Sequence, residues 1–173
     1  MTEKILVIGG CRSGKSSHAL SLAEQIPGEK RFIATCIPFD EEMKERVSHH
    51  QQDRSPDWIT IEAPIDLPGA ILKHSALSGV VLADCLTLWI SNLLMNNISG
   101  QELVPEINRL THAIHHAAST VILVSNEVGT GIVPENALAR LFRDAAGLTN
   151  QRVASAVNKV VWMVAGIPVV IKG

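Results

Sequence analysis

The stretch Lys4-Ile5-Leu6-Val7-Ile8-Gly9-Gly10-Cys11-Arg12-Ser13-Gly14-Lys15-Ser16 decides the reading of this chain. Its first part, Lys4 to Ile8, reads as a buried strand. Its second part, Gly9 to Ser16, matches the phosphate-binding pattern G-x-x-x-x-G-K-[ST] in full. Ser17-His18-Ala19-Leu20-Ser21-Leu22-Ala23-Glu24 then reads as a helix. A glycine-rich turn between strand and helix lets successive backbone N–H groups point at one anion. The helix N-terminus adds partial positive charge. Gly9, Gly10, Cys11, Arg12, Ser13, Gly14, Lys15 and Ser16 are therefore candidate binders of a nucleoside triphosphate. Lys15 is the candidate catalytic cation at the β- and γ-phosphates, and Ser16 Oγ a candidate Mg²⁺ ligand.

The bulk properties narrow the class. At 173 residues, with 46% hydrophobic content, the chain is expected to form a single domain, 1–173, with a full core. Net charge is −2, from 15 basic and 17 acidic residues, which argues against a nucleic-acid partner. Cys11, Cys36 and Cys85 lie far apart with no C-x-x-C, so neither a disulfide framework nor a zinc site is expected. No secretory signal is recognisable at the N-terminus. No apolar run reaches the ~18 residues of a membrane span. The expectation is a cytoplasmic protein.

Apolar β-branched runs alternate with helical patterns along the chain. Strands are expected at Ile5–Ile8, Arg31–Cys36, Trp58–Glu62, Val80–Asp84, Thr120–Ser125, Lys159–Val164 and Val169–Ile171. Helices are expected at Lys15–Gln25, Asp40–Gln52, Leu67–His74, Leu86–Met95, Glu102–Ala117, Glu135–Ala146 and Leu148–Asn158. Such alternation implies an α/β fold with a mostly parallel central sheet covered on both faces. The connection Gly166-Ile167-Pro168 is too short for a crossover helix, so the last two strands are expected to form a C-terminal antiparallel hairpin.

Other residues carry candidate chemistry. Val80-Val81-Leu82-Ala83-Asp84 is an apolar strand ending in a carboxylate. Asp84 is either a metal ligand, as in other phosphate-loop proteins, or the cap of the following helix. His49 and His50 close the pattern begun at Asp40. They read either as solvated histidines at a helix C-terminus or as a nucleophilic imidazole beside a nucleotide. The loop from Ser125 to Pro134 follows a buried strand, at the end of a parallel sheet where ligands bind. Asn126 and Glu127 supply polar groups there. Arg140, Arg143 and Arg152 serve either phosphate or the surface. His112, His115 and His116 read as a solvated helix face.

Together these residues resemble the bifunctional adenosylcobinamide kinase / adenosylcobinamide-phosphate guanylyltransferase family of cobalamin biosynthesis. The resemblance runs nearly end to end. It rests on Gly-Gly-x-Arg-Ser-Gly-Lys-Ser at Gly9–Ser16, Ile33-Ala34-Thr35, Arg46-Val47-Ser48-His49-His50 and Trp58-x-Thr60-x-Glu62. It continues through Asp84-Cys85-Leu86-Thr87-x-Trp89 with Asn92, and Asn126-Glu127-Val128-Gly129-x-Gly131-Ile132-Val133-Pro134. Phe142-Arg143-Asp144-x-Ala146-Gly147 and Asn150-Gln151-Arg152 complete it. Three departures stand out. Cys11 replaces a common Ala, Ala83 replaces a larger apolar residue, and Ser55 separates Arg54 from Pro56 where the family commonly has Arg-Pro.

The resemblance implies a P-loop NTPase fold of the RecA-like kind, a three-layer sandwich. It implies two reactions: phosphorylation of adenosylcobinamide by ATP or GTP, then transfer of GMP from GTP to adenosylcobinamide-phosphate. It implies that His49 carries GMP covalently. It places nucleotide contacts on the Gly9–Ser16 loop, on Ala34, Thr35 and Cys36, on His50, Gln51, Gln52 and Asp53, and on Glu62 and Asp84. Glu62 or Asp84 would meet guanine or ribose, Ser16 and Asp84 would serve Mg²⁺, and the assembly would be a homotrimer. The rival enzyme reading is a P-loop small-molecule kinase without guanylyl transfer. A GTPase switch is disfavoured because Asn158-Lys159-Val160-Val161 lacks the Asp of N-K-x-D. A DNA-binding role is disfavoured by the charge and by three Phe, three Trp and no Tyr for base stacking.

Overall fold

The computed structural model describes residues 2–38, 40–41, 44–45, 54–98 and 100–173. The described elements run β1 (Lys4–Gly9), α1 (Lys15–Glu24), β2 (Lys30–Ala34), β3 (Trp58–Glu62), α2 (Leu67–Ser75) and β4 (Val80–Asp84). They continue with α3 (Leu86–Met95), α4 (Gly100–His116), β5 (Thr120–Asn126), α5 (Ala137–Ala156), β6 (Lys159–Val164) and β7 (Ile167–Lys172). The seven strands form one sheet in the order β3-β2-β4-β5-β1-β6-β7. All neighbours are parallel except β6 and β7, which form the expected antiparallel hairpin.

Strand side chains alternate between the two faces of the sheet, so each strand feeds two cores. Leu6 and Ile8 of β1 join Ile33, Val81, Leu123 and Val160 in the core under α2, α3, α4 and α5. Ile5 and Val7 join Phe32, Leu82, Ile122 and Val161 in the core on the other face, against Ala19 and Ala23 of α1. The result is a three-layer α/β/α arrangement. Every residue of β1 is buried, as its run of apolar residues requires.

Differences from the expected elements have local causes. The two helices expected at Glu135–Ala146 and Leu148–Asn158 are one continuous helix, α5. Gly147 does not break it: a mid-helix glycine costs only about 1 kcal/mol, and Ala145, Ala146, Thr149, Asn150 and Val153 are buried around it. Asn136, not Glu135, starts this helix, because its side chain accepts from the Ala139 N–H at 3.0 Å. The second strand stops at Ala34, before Thr35 and Cys36. The Thr35 N–H still donates to the Asp84 carbonyl at 3.4 Å, but beyond it the Thr35 carbonyl accepts from Asn92 and the Thr35 hydroxyl bonds Cys85. Most of the helix expected at Asp40–Gln52 lies outside the described residues.

The outer edge strand β7 is exposed along its whole length. Ile167, Val170 and Ile171 are each more than half exposed. Lys172 anchors the end of the strand by donating to the carbonyls of Ala154 (2.7 Å) and Val157 (2.6 Å) at the C-terminus of α5.

Candidate active site

The phosphate loop lies where the sheet ends and α1 begins. Gly9 closes β1 against Met163 of β6, where a Cβ would fall 2.5 Å from the Met163 carbonyl oxygen. Gly14 adopts φ 89°, a left-handed conformation that suits glycine, and sets the direction of α1. No side chain caps α1, so its first N–H groups remain available to an anion. The loop is tied from outside by the Gly166 N–H, which donates to the Ser13 carbonyl at 3.1 Å, and from within by the Ser13 N–H, which donates to the Gly10 carbonyl at 3.3 Å.

Lys15 is buried, and its Nζ donates to the Gly10 carbonyl at 2.5 Å, which folds the side chain over the loop. Burial pulls its pKa down, and the negative charge of Asp84 pulls it back up. Ser16 Oγ donates to Asp84 Oδ2 at 2.6 Å. The two readings of Asp84 are thereby separated. The residue preceding α3 is Cys85, with no side-chain cap, while the Asp84 carboxylate faces the phosphate loop. A hydroxyl and a carboxylate oxygen side by side next to a phosphate site suit a hard, oxygen-seeking cation such as Mg²⁺. Among the described residues no group of three or more His, Cys, Asp or Glu side chains gathers to hold a metal by itself.

A cavity of about 660 Å³ opens over this pair. From the expected residues it brings together Cys11 to Ser16, Ala34, Cys36, Glu62 and Asp84. The sheet register explains the assembly: Ala34 pairs with both Glu62 and Asp84, so three adjacent strands end level beneath one opening. Asn126, level with Gly9 across the β5–β1 pair, lines the same cavity.

Thr35 stands apart from the wall. It is fully buried, and its hydroxyl bonds both ways with the Cys85 backbone, donating to the carbonyl and accepting from the N–H, each at 2.8 Å. Asn92 and Trp89 extend this bracing from α3. Asn92 Nδ2 donates to the carbonyls of Thr35 (2.7 Å) and Pro64 (3.0 Å), and Trp89 Nε1 to Ile65 (2.8 Å). Asn126 Nδ2 donates to Thr87 Oγ1 at 2.7 Å, which ties the floor of the cavity to α3. Burial pushes the Cys85 thiol up to about 12, so it is a neutral packing group there.

Of the three arginines left open above, Arg140 and Arg143 support the loop and Arg152 is exposed on α5. Arg143 Nη2 donates to the Gly129 carbonyl at 2.7 Å, and Arg140 Nη1 to the Pro134 and Glu135 carbonyls. His112 and His116 stack at 4.0 Å on an exposed face of α4, as expected of a solvated face. His49, His50, Gln51, Gln52 and Asp53 lie outside the described residues. Phe32, Pro38, Leu88 and Val124 also line the cavity and were not read as site residues, and Arg54 and Thr60, quoted only for the family resemblance, join them. No local pattern gave them a role, because β2, β3, α3 and β5 bring them to one opening from separate parts of the chain.

A strand, glycine loop and helix opposed by an acidic strand end, on a largely parallel three-layer sheet, define a P-loop nucleoside-triphosphate-binding protein of RecA-like fold. Solved structures agree on the fold. The RadB recombinase superposes with a TM-score of 0.54 at 15% identity, covering 92% of this chain and 73% of that one. An ATPase of a bacterial type III secretion system gives 0.57 at 9% identity, covering 92% and 50%. Sequence comparison goes further. The family model described as cobinamide kinase / cobinamide phosphate guanyltransferase matches residues 5–171. The bifunctional adenosylcobalamin biosynthesis protein CobU of Escherichia coli is 41% identical over 180 residues, 97% of this chain and 99% of that protein. The corresponding CobP of Pseudomonas aeruginosa is 38% identical over 168 residues, 97% of this chain and 96% of that protein. The chain belongs to the cobinamide kinase / cobinamide phosphate guanyltransferase family.

Proposed function

We propose that this chain, acting as one domain over residues 1–173, carries out both reactions of its family on adenosylcobinamide. In the first, the terminal hydroxyl of the aminopropanol arm attacks the γ-phosphorus of ATP or GTP, and the nucleoside diphosphate leaves. In the second, the imidazole of His49 attacks the α-phosphorus of GTP and pyrophosphate leaves. The phosphate of adenosylcobinamide-phosphate then displaces the imidazole and takes GMP, giving adenosylcobinamide-GDP. The observation that carries this reading is the Ser16–Asp84 contact beneath the phosphate-loop cavity of a chain in this family.

Phosphoryl transfer is chiefly positioning and charge stabilisation. The loop amides and the uncapped start of α1 orient the phosphates, and Lys15 neutralises charge building on them. Ser16 and Asp84 would hold Mg²⁺, which supplies charge neutralisation at the phosphate oxygens. Guanylyl transfer requires a nucleophile at the α-phosphorus. A free imidazole has a pKa of about 6.5 and is largely neutral near pH 7. A covalent histidine intermediate divides one displacement into two. By resemblance, His50, Gln51, Gln52 and Asp53 contact the nucleotide next to His49. Ala34, Thr35 and Cys36 frame it, and Glu62 or Asp84 receives guanine or ribose.

We place the protein in the cytoplasm as a homotrimer. Among the described residues, no helix is long and apolar enough to cross a membrane. An open edge strand with exposed Ile167, Val170 and Ile171 is a surface that association would cover. Light scattering tests the assembly, with three times the 18.7 kDa chain mass as the expected result.

The reactions are tested with pure protein, Mg²⁺ and α-labelled GTP in the absence of corrinoid, followed by denaturation. The expected label stays on the chain, is lost in mild acid, survives base and is absent from His49→Ala. That variant should still phosphorylate adenosylcobinamide. Absence of label from the unaltered protein, with γ-phosphoryl transfer intact, would leave the kinase reading alone.

A further inference from the structure

Among the described residues, two buried side-chain polar atoms have no hydrogen-bond partner: Ser13 Oγ and Arg54 Nη1. Both residues line the one cavity over the phosphate loop. Ser13 is accounted for by its place within that loop. Arg54 is not. It stands where the family commonly has Arg-Pro, here interrupted by Ser55, on the connection leading into β3, and it enters the cavity from the β2–β3 side.

Arg54 is held there by its apolar surroundings. Its guanidinium carbon sits 3.8 Å from the centroid of the Phe32 ring, a stacked cation–π contact. The Phe32 ring is fixed in turn by Trp58, edge-on at 6.3 Å between centroids. Trp58 is anchored by its Nε1–H donating to Glu24 Oε1 at 2.6 Å. The arginine therefore rests on a rigid platform with one N–H buried and unpaired. Burial pulls its pKa down, while the negative charge of Asp84 opposes that shift. The Asp84 carboxylate already accepts from Ser16, across the phosphate loop.

A buried N–H without a partner is costly, and on a half-buried arginine at the wall of a nucleotide cavity a ligand completes it. The planar fork of a guanidinium matches phosphate oxygens, and an unpaired N–H at the wall of a nucleotide cavity is placed to donate to one. We propose that Arg54 is a phosphate-binding residue of this site, with Phe32 as its positioning platform, facing the phosphate loop from the β2–β3 side. This rests on the proposed function only for the origin of the phosphate. The oxygen belongs either to the phosphate chain of the nucleotide or to the phosphate of the phosphorylated corrinoid.

The test uses Arg54→Met, which keeps an unbranched apolar stem for the Phe32 ring and removes the charge, with Arg54→Lys beside it. Binding of inorganic tripolyphosphate is measured by calorimetry. Binding of cobinamide phosphate and of unphosphorylated cobinamide is measured by equilibrium dialysis. Unliganded melting temperature is the control for a structural role. Loss of a charge-assisted contact should weaken the affected ligand roughly tenfold to a hundredfold. A loss confined to tripolyphosphate assigns Arg54 to the nucleotide chain. A loss for cobinamide phosphate, with cobinamide itself unaffected, assigns it to the corrinoid phosphate. In either case the unliganded Arg54→Met protein should melt at close to the same temperature, because the buried Nη1 makes no hydrogen bond to lose and the apolar stem still covers the Phe32 ring. Unchanged binding of both phosphate probes overturns the proposal, as does a lowered unliganded melting temperature with an equal loss for every ligand. If the unaltered protein binds tripolyphosphate but neither corrinoid, the proposed function fails and the tripolyphosphate arm still decides the role of Arg54.

Discussion

Ser16 Oγ and Asp84 Oδ2 lie 2.6 Å apart although 68 positions separate them in the chain. One begins the helix after the phosphate loop and the other ends a strand two places across the sheet from β1. The parallel register sets Asp84 level with Val124 of β5 and Val7 of β1, two residues short of Gly9, and the chain turns back from Gly9 through the loop to bring Ser16 to the carboxylate. The pair should therefore act together in cation binding. Ser16→Ala is expected to raise the Mg²⁺ concentration needed for half-maximal phosphoryl transfer by roughly 10–100-fold, the range found when an ordering partner of a metal site is lost. Asp84→Ala is expected to cost more, because it removes the charge. Magnesium titrations of initial rate check both, and an unchanged Mg²⁺ requirement in Ser16→Ala would remove Ser16 from the cation site.

Thr35 supports Asp84 without reaching the cavity. Thr35→Val keeps the volume and deletes the hydroxyl. The Cys85 carbonyl retains the Trp89 N–H at 3.2 Å, while the Cys85 N–H loses its partner. One orphaned buried donor costs about 1–3 kcal/mol. Denaturant unfolding should show that loss, and the Mg²⁺ requirement should rise because the end of β4 is less well fixed. Full stability in Thr35→Val would mean that the N–H finds another acceptor.

The cysteines should separate by reactivity. Cys11 is exposed in the phosphate loop and Cys85 is buried. In the native protein at pH 8, iodoacetamide should modify Cys11 and spare Cys85, and saturating nucleotide should protect Cys11. The Cys85 thiol has its pKa raised from 9.0 to about 12 in the fold, so the folded state holds the proton more tightly than the unfolded chain. Its contribution to stability is then fully present below pH 9.0 and is lost as pH rises toward about 12. Cys85→Ala should flatten that alkaline decline in a pH series of unfolding curves.

Gly147 offers a stabilising change. It is exposed in the middle of α5, and a Cβ there would meet no atom within 4 Å. Gly147→Ala should raise stability by about 0.5–1 kcal/mol, which corresponds to roughly 1–4 °C in melting temperature for a domain of this size. Calorimetry on the unliganded protein checks it, and a lower melting temperature would show that the position serves a contact between chains.

The boundary of what was legible runs between local and distant relations. The phosphate loop was readable because strand, loop and helix are contiguous and each has its own pattern of periodicity and glycine placement. The alternation of strands and helices announced a parallel sheet, and the short turn at Gly166 announced the hairpin. The continuity of α5 was missed at Gly147, where burial on one helix face outweighs a local propensity cost. Arg140 and Arg143 carried no sign of whether they would meet phosphate or loop carbonyls. That depended on where the 127–136 segment folds back.

The sequence by itself determined that this chain binds a nucleoside triphosphate on an α/β sheet, and its motifs placed it in a family. Those properties rest on short stretches whose chemistry is complete within a dozen residues. Only the tertiary structure decided that Asp84 turns to Ser16 instead of capping α3, that Thr35 braces and does not line the cavity, and that Arg54 reaches it across Phe32. Each of these depends on strand order and register. Two residues far apart in the chain meet only when the sheet has chosen its neighbours, and no local propensity encodes that choice.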